Sequence, residues 1–365
     1  MRILYVSDAL SIHTQRWAEA MRDAGDEVHI ASFRAASITG VTVHALPTAG
    51  LGKAGYVLAV PVLRRLCARL RPDVVHAQYV TSYGFLAAMA RLKPLVVTAW
   101  GSDVLLSPRE SRFARWRARR ALAGADQVTT VAEHMNAAVV ALGLPAAAVL
   151  AMPFGVDTAL FSPPATPRAA TPPLRVISTR NFAPVYSVHT AVEALVLLRM
   201  RGLDVQLELV GAGPLREALQ AQVQAAGLGP HVRFHGHVSH PQLAALLGAA
   251  HVFVSTALSD GNNVSLNEAM ACGCFPLATD IAANAQWLNR GRNGVLFAPG
   301  DAQGLADGIA AAAGDAAWRD AAAAENRHIV LTRADWRLSV QRMRALYARL
   351  AASAPAPGSA SKGKT

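Results

Sequence analysis

Short apolar runs alternate with amphipathic stretches along the whole chain. In the first half, runs at residues 2–6, 27–32, 41–45, 74–77, 95–99, 127–131 and 149–151 predict buried strands, and the helical period over 14–24, 56–71 and 133–142 predicts helices between them. The second half repeats the alternation, with strands predicted at 174–179, 205–210, 232–235, 251–255, 275–278 and 294–297. Strands separated by helices pair in parallel and take helices on both faces, so the expected class is α/β. A chain of 365 residues exceeds what one core usually covers, and two domains are expected.

The boundary is sought where neither element is possible. Residues 161–173 hold five prolines in thirteen positions, which disfavours helix and interior strand alike. The predicted organisation is a first domain over 1–160, a Pro-rich linker over 161–173 and a second domain over 174–333. A last helix is expected over 334–352, with a small, polar, disordered tail over 353–365. No internal repeat of solenoid period is visible.

Composition narrows the class of protein. Hydrophobic residues make up 52% of the chain, yet no run approaches the ~18 apolar residues of a membrane span, and the apolar start MRILYV is too short for a signal peptide. Cys67, Cys272 and Cys274 supply neither a disulfide framework nor a four-ligand metal site, which fits a reducing, cytoplasmic compartment. The net charge is +11, and the only lysines are Lys53, Lys93, Lys362 and Lys364. The excess concentrates in residues 109–120, where Arg109, Arg112, Arg115, Arg117, Arg119 and Arg120 accompany one acid, Glu110. Phe113 and Trp116 interleave with them. Two readings stand side by side: a helix docking on an anionic surface, or a solvated basic helix whose aromatics pack on the sheet beneath. The first would place the protein peripherally on the inner face of the cytoplasmic membrane. No nucleic-acid partner is expected.

The most informative stretch is SDGNNVSLNEAMACGCFP at residues 259–276. Asp260 and Glu268 have seven residues between them, Gly261 leaves room for a close ligand, and Asn262, Asn263 and Ser265 can cap a helix predicted over 264–272. Gly273 ends it. Uncapped amides at such a helix start attract phosphate oxygens, and a carboxylate one turn in suits ribose hydroxyls. A capped surface helix with incidental acids has the same sequence. Arg180, closing an apolar strand, can hold two phosphate oxygens in a fork, or can be solvated.

This segment resembles the E-x7-E motif of the retaining glycosyltransferases of family four, with the first glutamate shortened to Asp260. Further segments agree in order: RPDVVHAQY, VVTAWGSD, GADQVTTVAEHM and MPFGVDTALFSP in the first half, VGAGPLRE, FHGHVSH and RNGVLFAPGD in the second. The resemblance implies a GT-B fold, two Rossmann-like domains facing each other across a cleft, with the last helix crossing back to the first domain. It implies transfer of a sugar from a nucleotide diphosphate sugar to an acceptor hydroxyl with retention of configuration, in polysaccharide, glycolipid or related glycoconjugate synthesis, with no cofactor and no metal. Arg180, Tyr186, Gly211, Gly213, His237, Val238, Asp260, Gly261, Asn262, Asn263, Val264, Ser265 and Glu268 would then face the donor. His13, Thr14, His76 and Asp103 would face a glycan or lipid-linked acceptor, and Arg180, Asp260 and Asp103 would act in catalysis.

Each position also has a structural reading. Gly211 and Gly213 suit a tight turn, His76 a satisfied core histidine, Asp103 a helix cap, and the cysteines helix-end packing. The chain departs from the family in three places. The loop after the first strand, SDALSIHTQRW, has no Gly-Gly pair; Tyr186 stands where a lysine is usual; and Trp100-Gly101 replaces a His-Gly pair. These departures keep two alternatives open: a catalytically weak nucleotide-sugar-binding subunit, or a nucleotide-sugar epimerase of the same fold.

Overall fold

The computed structural model describes residues 1–47, 56–166, 168 and 172–353. The chain divides into two compact units, Met1–Pro153 with the chain from Ser339 onward, and Phe154–Leu338. In the first, strands β1 (Arg2–Val6), β2 (Glu27–Ser32), β3 (Thr42–Ala45), β4 (Val74–Gln78), β5 (Leu95–Ala99), β6 (Gln127–Thr130) and β7 (Val149–Ala151) form one parallel sheet in the order β3-β2-β1-β4-β5-β6-β7. In the second, β8 (Leu174–Ser178), β9 (Val205–Val210), β10 (Val232–Gly236), β11 (Val252–Ser255), β12 (Phe275–Thr279) and β13 (Val295–Phe297) run parallel in the order β10-β9-β8-β11-β12-β13. Every predicted strand is present, with its ends moved by one residue at most. The chain reverses its direction of winding between β1 and β4 and again between β8 and β11. Those are the switch points where open α/β sheets bind ligands at the carboxyl ends of their strands.

The continuous apolar runs are explained by burial on both faces. In β8, Val176 packs into a cluster with Leu195 and Leu305, while its neighbour Ile177 joins Phe253, Leu266 and Met270 on the other face. In β11, Val252 and Val254 side with Val176, and Phe253 with Ile177.

The passage between the units lies at Pro153–Phe154 and Leu338–Ser339, not in the Pro-rich run. Residues 154–160, expected in the first domain, belong to the second unit because hydrogen bonds tie them there. Val156 accepts from the Trp336 amide and donates to Ala334 O, at 2.8 and 2.7 Å. Arg327 donates to Thr158 O and Phe161 O, at 2.8 and 2.6 Å, and Phe161 is buried in the second core. Arg168 anchors the Pro-rich segment itself through Cys272 O and Gly273 O.

The expected last helix starts later, as Trp336–Ser353, because Asp335 stops the preceding helix Ala316–Arg333 and accepts from the Arg337 amide at 2.8 Å. From Ser339 it packs on the first unit, where Arg344 reaches Asp26 and Tyr347 meets Tyr5 at 3.2 Å. The predicted tail falls almost wholly outside the described residues. Among those described, no helix is long and apolar enough to cross a membrane.

Candidate functional site

In the second unit the structure brings Arg180, Asp260 and Asn263 together at the β8/β11 switch point. Arg180 follows β8 and is 8% exposed, so its charge needs partners. One terminal nitrogen donates to Asn263 Oδ1 at 2.9 Å, the other to Asp260 Oδ2 at 2.5 Å, and the guanidinium lies 4.2 Å from the centre of the Tyr186 ring. Tyr186 therefore supports the cation at the place where a second cation is usual in the family. The Arg180 Nε, the Ser178 and Thr179 hydroxyls and both amide atoms of Asn262 are buried with no partner among the described residues. Buried polar groups are nearly always satisfied, so this cluster leaves hydrogen-bonding capacity that a polar ligand could take up.

Asn263 is the hub. Fully buried, its Oδ1 accepts from Arg180 and from the Leu266 amide at 3.1 Å, capping the helix Val264–Ala271, and its Nδ2 donates to Ser255 Oγ and Asn284 Oδ1 at 3.0 and 2.8 Å. Asn284 in turn donates to Thr279 O at 2.9 Å. The expectation of uncapped amides at this helix start is corrected: the Val264 amide is held by Asn262 O at 2.9 Å and the Leu266 amide by the Asn263 cap. Ser265 retains a first-turn amide without a partner among the described residues, and its hydroxyl donates weakly to Thr179 O at 3.4 Å. Glu268 follows one turn in, 9% exposed.

Gly211 and Gly213 let two loops touch. At φ of +148° and +155°, added Cβ atoms would lie 2.5 Å from Arg180 O and Phe182 O, so no side chain fits. Bonds between Phe182 N and Ala212 O and between Gly211 N and Gly236 O then chain the ends of β8, β9 and β10 together. Past Gly236, His237 is exposed and Val238 is half-buried against the second core. Cys272 and Cys274 are buried; burial raises both thiols, Cys274 to about 11, so they pack rather than react.

The first unit corrects three expectations. His76 is a core histidine: it is 1% exposed, Nδ1 bonds the Tyr347 hydroxyl, Nε2 lies 2.5 Å from Thr98 Oγ1, and burial lowers its pKa to about 3. It faces no acceptor, because both nitrogens are engaged inside the sheet and last-helix packing. Thr14 is fully buried, its hydroxyl 2.8 Å from Ser7 Oγ and 3.1 Å from Gln78 Oε1, and so is not turned to a ligand. Asp103 is also fully buried. Its carboxylate accepts from the amides of Val80, Gly101 and Trp100 at 2.7, 2.8 and 3.1 Å, so it clamps the ends of β4 and β5 and has little capacity left for an acceptor hydroxyl. His13 is half-buried, its ring set edge-on to Trp100 at 5.7 Å.

Burial lifts the Asp103 carboxyl from 3.8 to about 6, against the pull of the three amides. A folded pKa above the unfolded one gives a stabilising contribution that is full below the unfolded value and lost as pH rises through the folded one. Relative to Asp103→Asn, the wild type should therefore be more stable at pH 4 than at pH 7, by about 2 kcal/mol. Paired thermal melts at the two pH values check this, and a difference that stays constant or grows with pH overturns it.

Sequence reasoning missed Ser255, Thr279 and Asn284, and in the first unit Ser7 and Gln78. Four of these five shared a usable signal, since each is a polar residue at or just beyond the carboxyl end of an apolar strand. Asn284 lies in a short helix after β12 and carried none. Among the described residues no three His, Cys, Asp or Glu side chains gather as a metal site would require.

Known proteins place these two units. The family described as Glycosyl transferase 4-like matches residues 2–132, and the family Glycosyl transferases group 1 matches residues 165–328. The chain is 28% identical over 176 residues to a putative colanic acid biosynthesis glycosyltransferase of Escherichia coli, a match covering 47% of this chain and 43% of that protein. It is 28% identical to glycogen synthase of Mycobacterium tuberculosis, covering 70% of this chain and 64% of that one. It is 26% identical to the GDP-mannose-dependent alpha-(1-6)-phosphatidylinositol monomannoside mannosyltransferase of Mycolicibacterium smegmatis, covering 70% and 72%. The chain thus spans less than two thirds of the first two of these relatives. In fold it is similar to sucrose-phosphate synthase from Thermosynechococcus elongatus, with a TM-score of 0.82 at 21% identity over 97% of this chain and 100% of that one. It is similar also to Anabaena HepE in complex with UDP and glucose, at 0.78 and 20% over 96% and 100%. With two parallel Rossmann-type sheets and family matches over both units, the chain belongs to the group 1 glycosyltransferases of GT-B fold.

Proposed function

We propose that this protein transfers a sugar from a nucleoside diphosphate sugar to a hydroxyl of a glycan or lipid-linked acceptor, with retention at the anomeric carbon and without a metal ion. The observation that carries this reading is the buried guanidinium of Arg180, pinned by Asp260 and Asn263 at a sheet switch point beside unfilled polar capacity. A departing diphosphate gains charge as the glycosidic bond breaks, and a preorganised guanidinium stabilises that charge with no reorganisation at the moment of reaction. Asp260 holds the guanidinium in place and offers a carboxylate to donor hydroxyls, Glu268 takes the ribose, and the backbone after Gly236 takes the base. The acceptor falls to the first unit, where the half-buried His13 remains a candidate. The similarity to glycogen synthase and to a phosphatidylinositol monomannoside mannosyltransferase supports a glycan or glycolipid acceptor.

Incubating the purified protein with UDP-, GDP- and ADP-sugars and following nucleoside diphosphate release tests the activity, with NMR of the product giving the anomeric outcome and EDTA the metal requirement. Binding without release from any donor would favour the alternative of a nucleotide-sugar-binding subunit, which the ion-paired state of Arg180 and the engaged Thr14 motivate. Conversion of one free nucleotide sugar into an epimer would favour the other.

Glu268→Ala should weaken donor binding about ten- to a hundredfold, corresponding to the roughly 1.5–3 kcal/mol of a charged hydrogen bond. Calorimetry with the ribo- and 2′-deoxyribonucleotide separates the cause: the variant should lose the preference for ribose. Unchanged affinity, or a preference that survives, removes Glu268 from that role.

A further inference from the structure

The basic segment does not form a single helix. Ser111 breaks it, accepting from the Ala114 amide at 3.1 Å, so that Ser107–Glu110 and Arg112–Ala123 are separate helices. The longer one turns small residues inward, burying Ala114, Ala118, Ala121 and Leu122, and leaves Phe113 and Trp116 63% and 48% exposed. The reading in which these aromatics pack on the sheet is therefore overturned. Their rings stack on each other at 5.7 Å, and Trp116 also meets the buried Phe85 edge-on at 5.4 Å while keeping about half its surface exposed.

Two of the arginines are structural: Arg117 donates to Thr81 O and Arg119 to Leu142 O, at 3.0 and 3.1 Å. Arg109, Arg112 and Arg115 instead line one groove of about 540 Å³, whose remaining wall includes Val104, Ala138 and Leu142. Among the described residues none of the three pairs with a carboxylate. Three unneutralised guanidiniums over an apolar floor fit an anion that carries hydrocarbon, and the adjacent exposed aromatic pair fits the polar–apolar boundary of a bilayer.

We infer that this groove seats the phosphate of an anionic lipid while Phe113 and Trp116 enter the headgroup layer, docking the first unit on an anionic membrane surface. Arginines near such a surface act additively and are screened by salt. The inference stands apart from the transferase reading, because the measurement is vesicle binding and not turnover.

Co-sedimentation with vesicles of phosphatidylglycerol and phosphatidylcholine, and of phosphatidylcholine alone, at low and high salt, tests it. The expected result is binding that requires the anionic lipid and weakens with salt. Arg109→Gln/Arg112→Gln/Arg115→Gln should lower vesicle affinity on the order of a hundredfold. Phe113→Ser/Trp116→Ser should lower it too, with the salt dependence kept. The charge-matched control Arg65→Gln/Arg69→Gln/Arg342→Gln, altering exposed arginines of the same unit, should change it little. All variants alter exposed side chains, and thermal melts confirm that they fold. No binding to anionic vesicles at low salt, an equal loss in the control, retained binding by the groove variant, or uptake of inorganic phosphate without vesicle binding each overturns the inference.

Discussion

Replacing Arg180 by alanine should lower turnover by about 10²- to 10³-fold, and donor affinity by much less. The asymmetry follows from where the charge appears. In the free protein the guanidinium is already engaged with Asp260 and Asn263, so ground-state binding gains little from it; the bond that strengthens is the one to the diphosphate as it departs. Removing the cation also leaves Asp260, 14% exposed at its side chain, without its counter-charge, and breaking such a pair costs about 3–5 kcal/mol when buried, less at this exposure. Arg180→Lys separates the effects. It keeps the charge for Asp260 and the fold, but cannot present a two-nitrogen fork or lie flat on Tyr186. Steady-state kinetics with melts on both variants decide the matter. A fall in donor binding equal to the fall in turnover, or a fall in binding alone, counts against a role in stabilising the leaving group.

Asn263→Ala should give the largest loss of stability at the site, about 3–5 kcal/mol, together with a loss of activity. Four hydrogen bonds meet at this side chain, and its truncation would strand the Leu266 amide, Ser255 and the Asn284 carbonyl in the interior while freeing Arg180 to swing. The lost helix cap alone accounts for about 1 kcal/mol. Asn263→Asp discriminates between scaffold and anchor. It keeps the acceptor for Arg180 and for Leu266 but loses the donor to Ser255 and Asn284, so activity should recover further than stability does. Chemical denaturation followed by activity at equal folded fraction reads both. A variant as stable as wild type, or an aspartate no more active than the alanine, would show that the network does not hold Arg180.

The legible and illegible parts of the site divide by mechanism. Arg180, Gly211 and the 260–268 motif could be found because each has a local cause: a residue ending an apolar strand, a glycine where a loop must turn, a cap before a helix. The meeting of Arg180 with Asp260 across 80 residues could not, nor could the substitution of a ring face at Tyr186 for a second cation. The first depends on β8 and β11 being neighbours. His76, Thr14 and Asp103 failed for the opposite reason. Partners from other segments, Tyr347, Gln78 and the Val80 amide, had already taken their polar atoms.

The sequence by itself determined the strands, their parallel character and the residue types that stand after the strands of the second sheet, because hydrophobic period, turn residues and caps act over a few neighbours. Only the tertiary structure decided where one unit ends and the next begins, since proline content marks where helix and strand stop, while hydrogen bonds that join Val156, Thr158 and Phe161 with distant residues mark which core a segment joins. It also decided which polar side chains remain available to a ligand. Availability is what is left after every buried donor and acceptor has found a partner, and those partners come from strands and helices that are neighbours in space rather than along the chain.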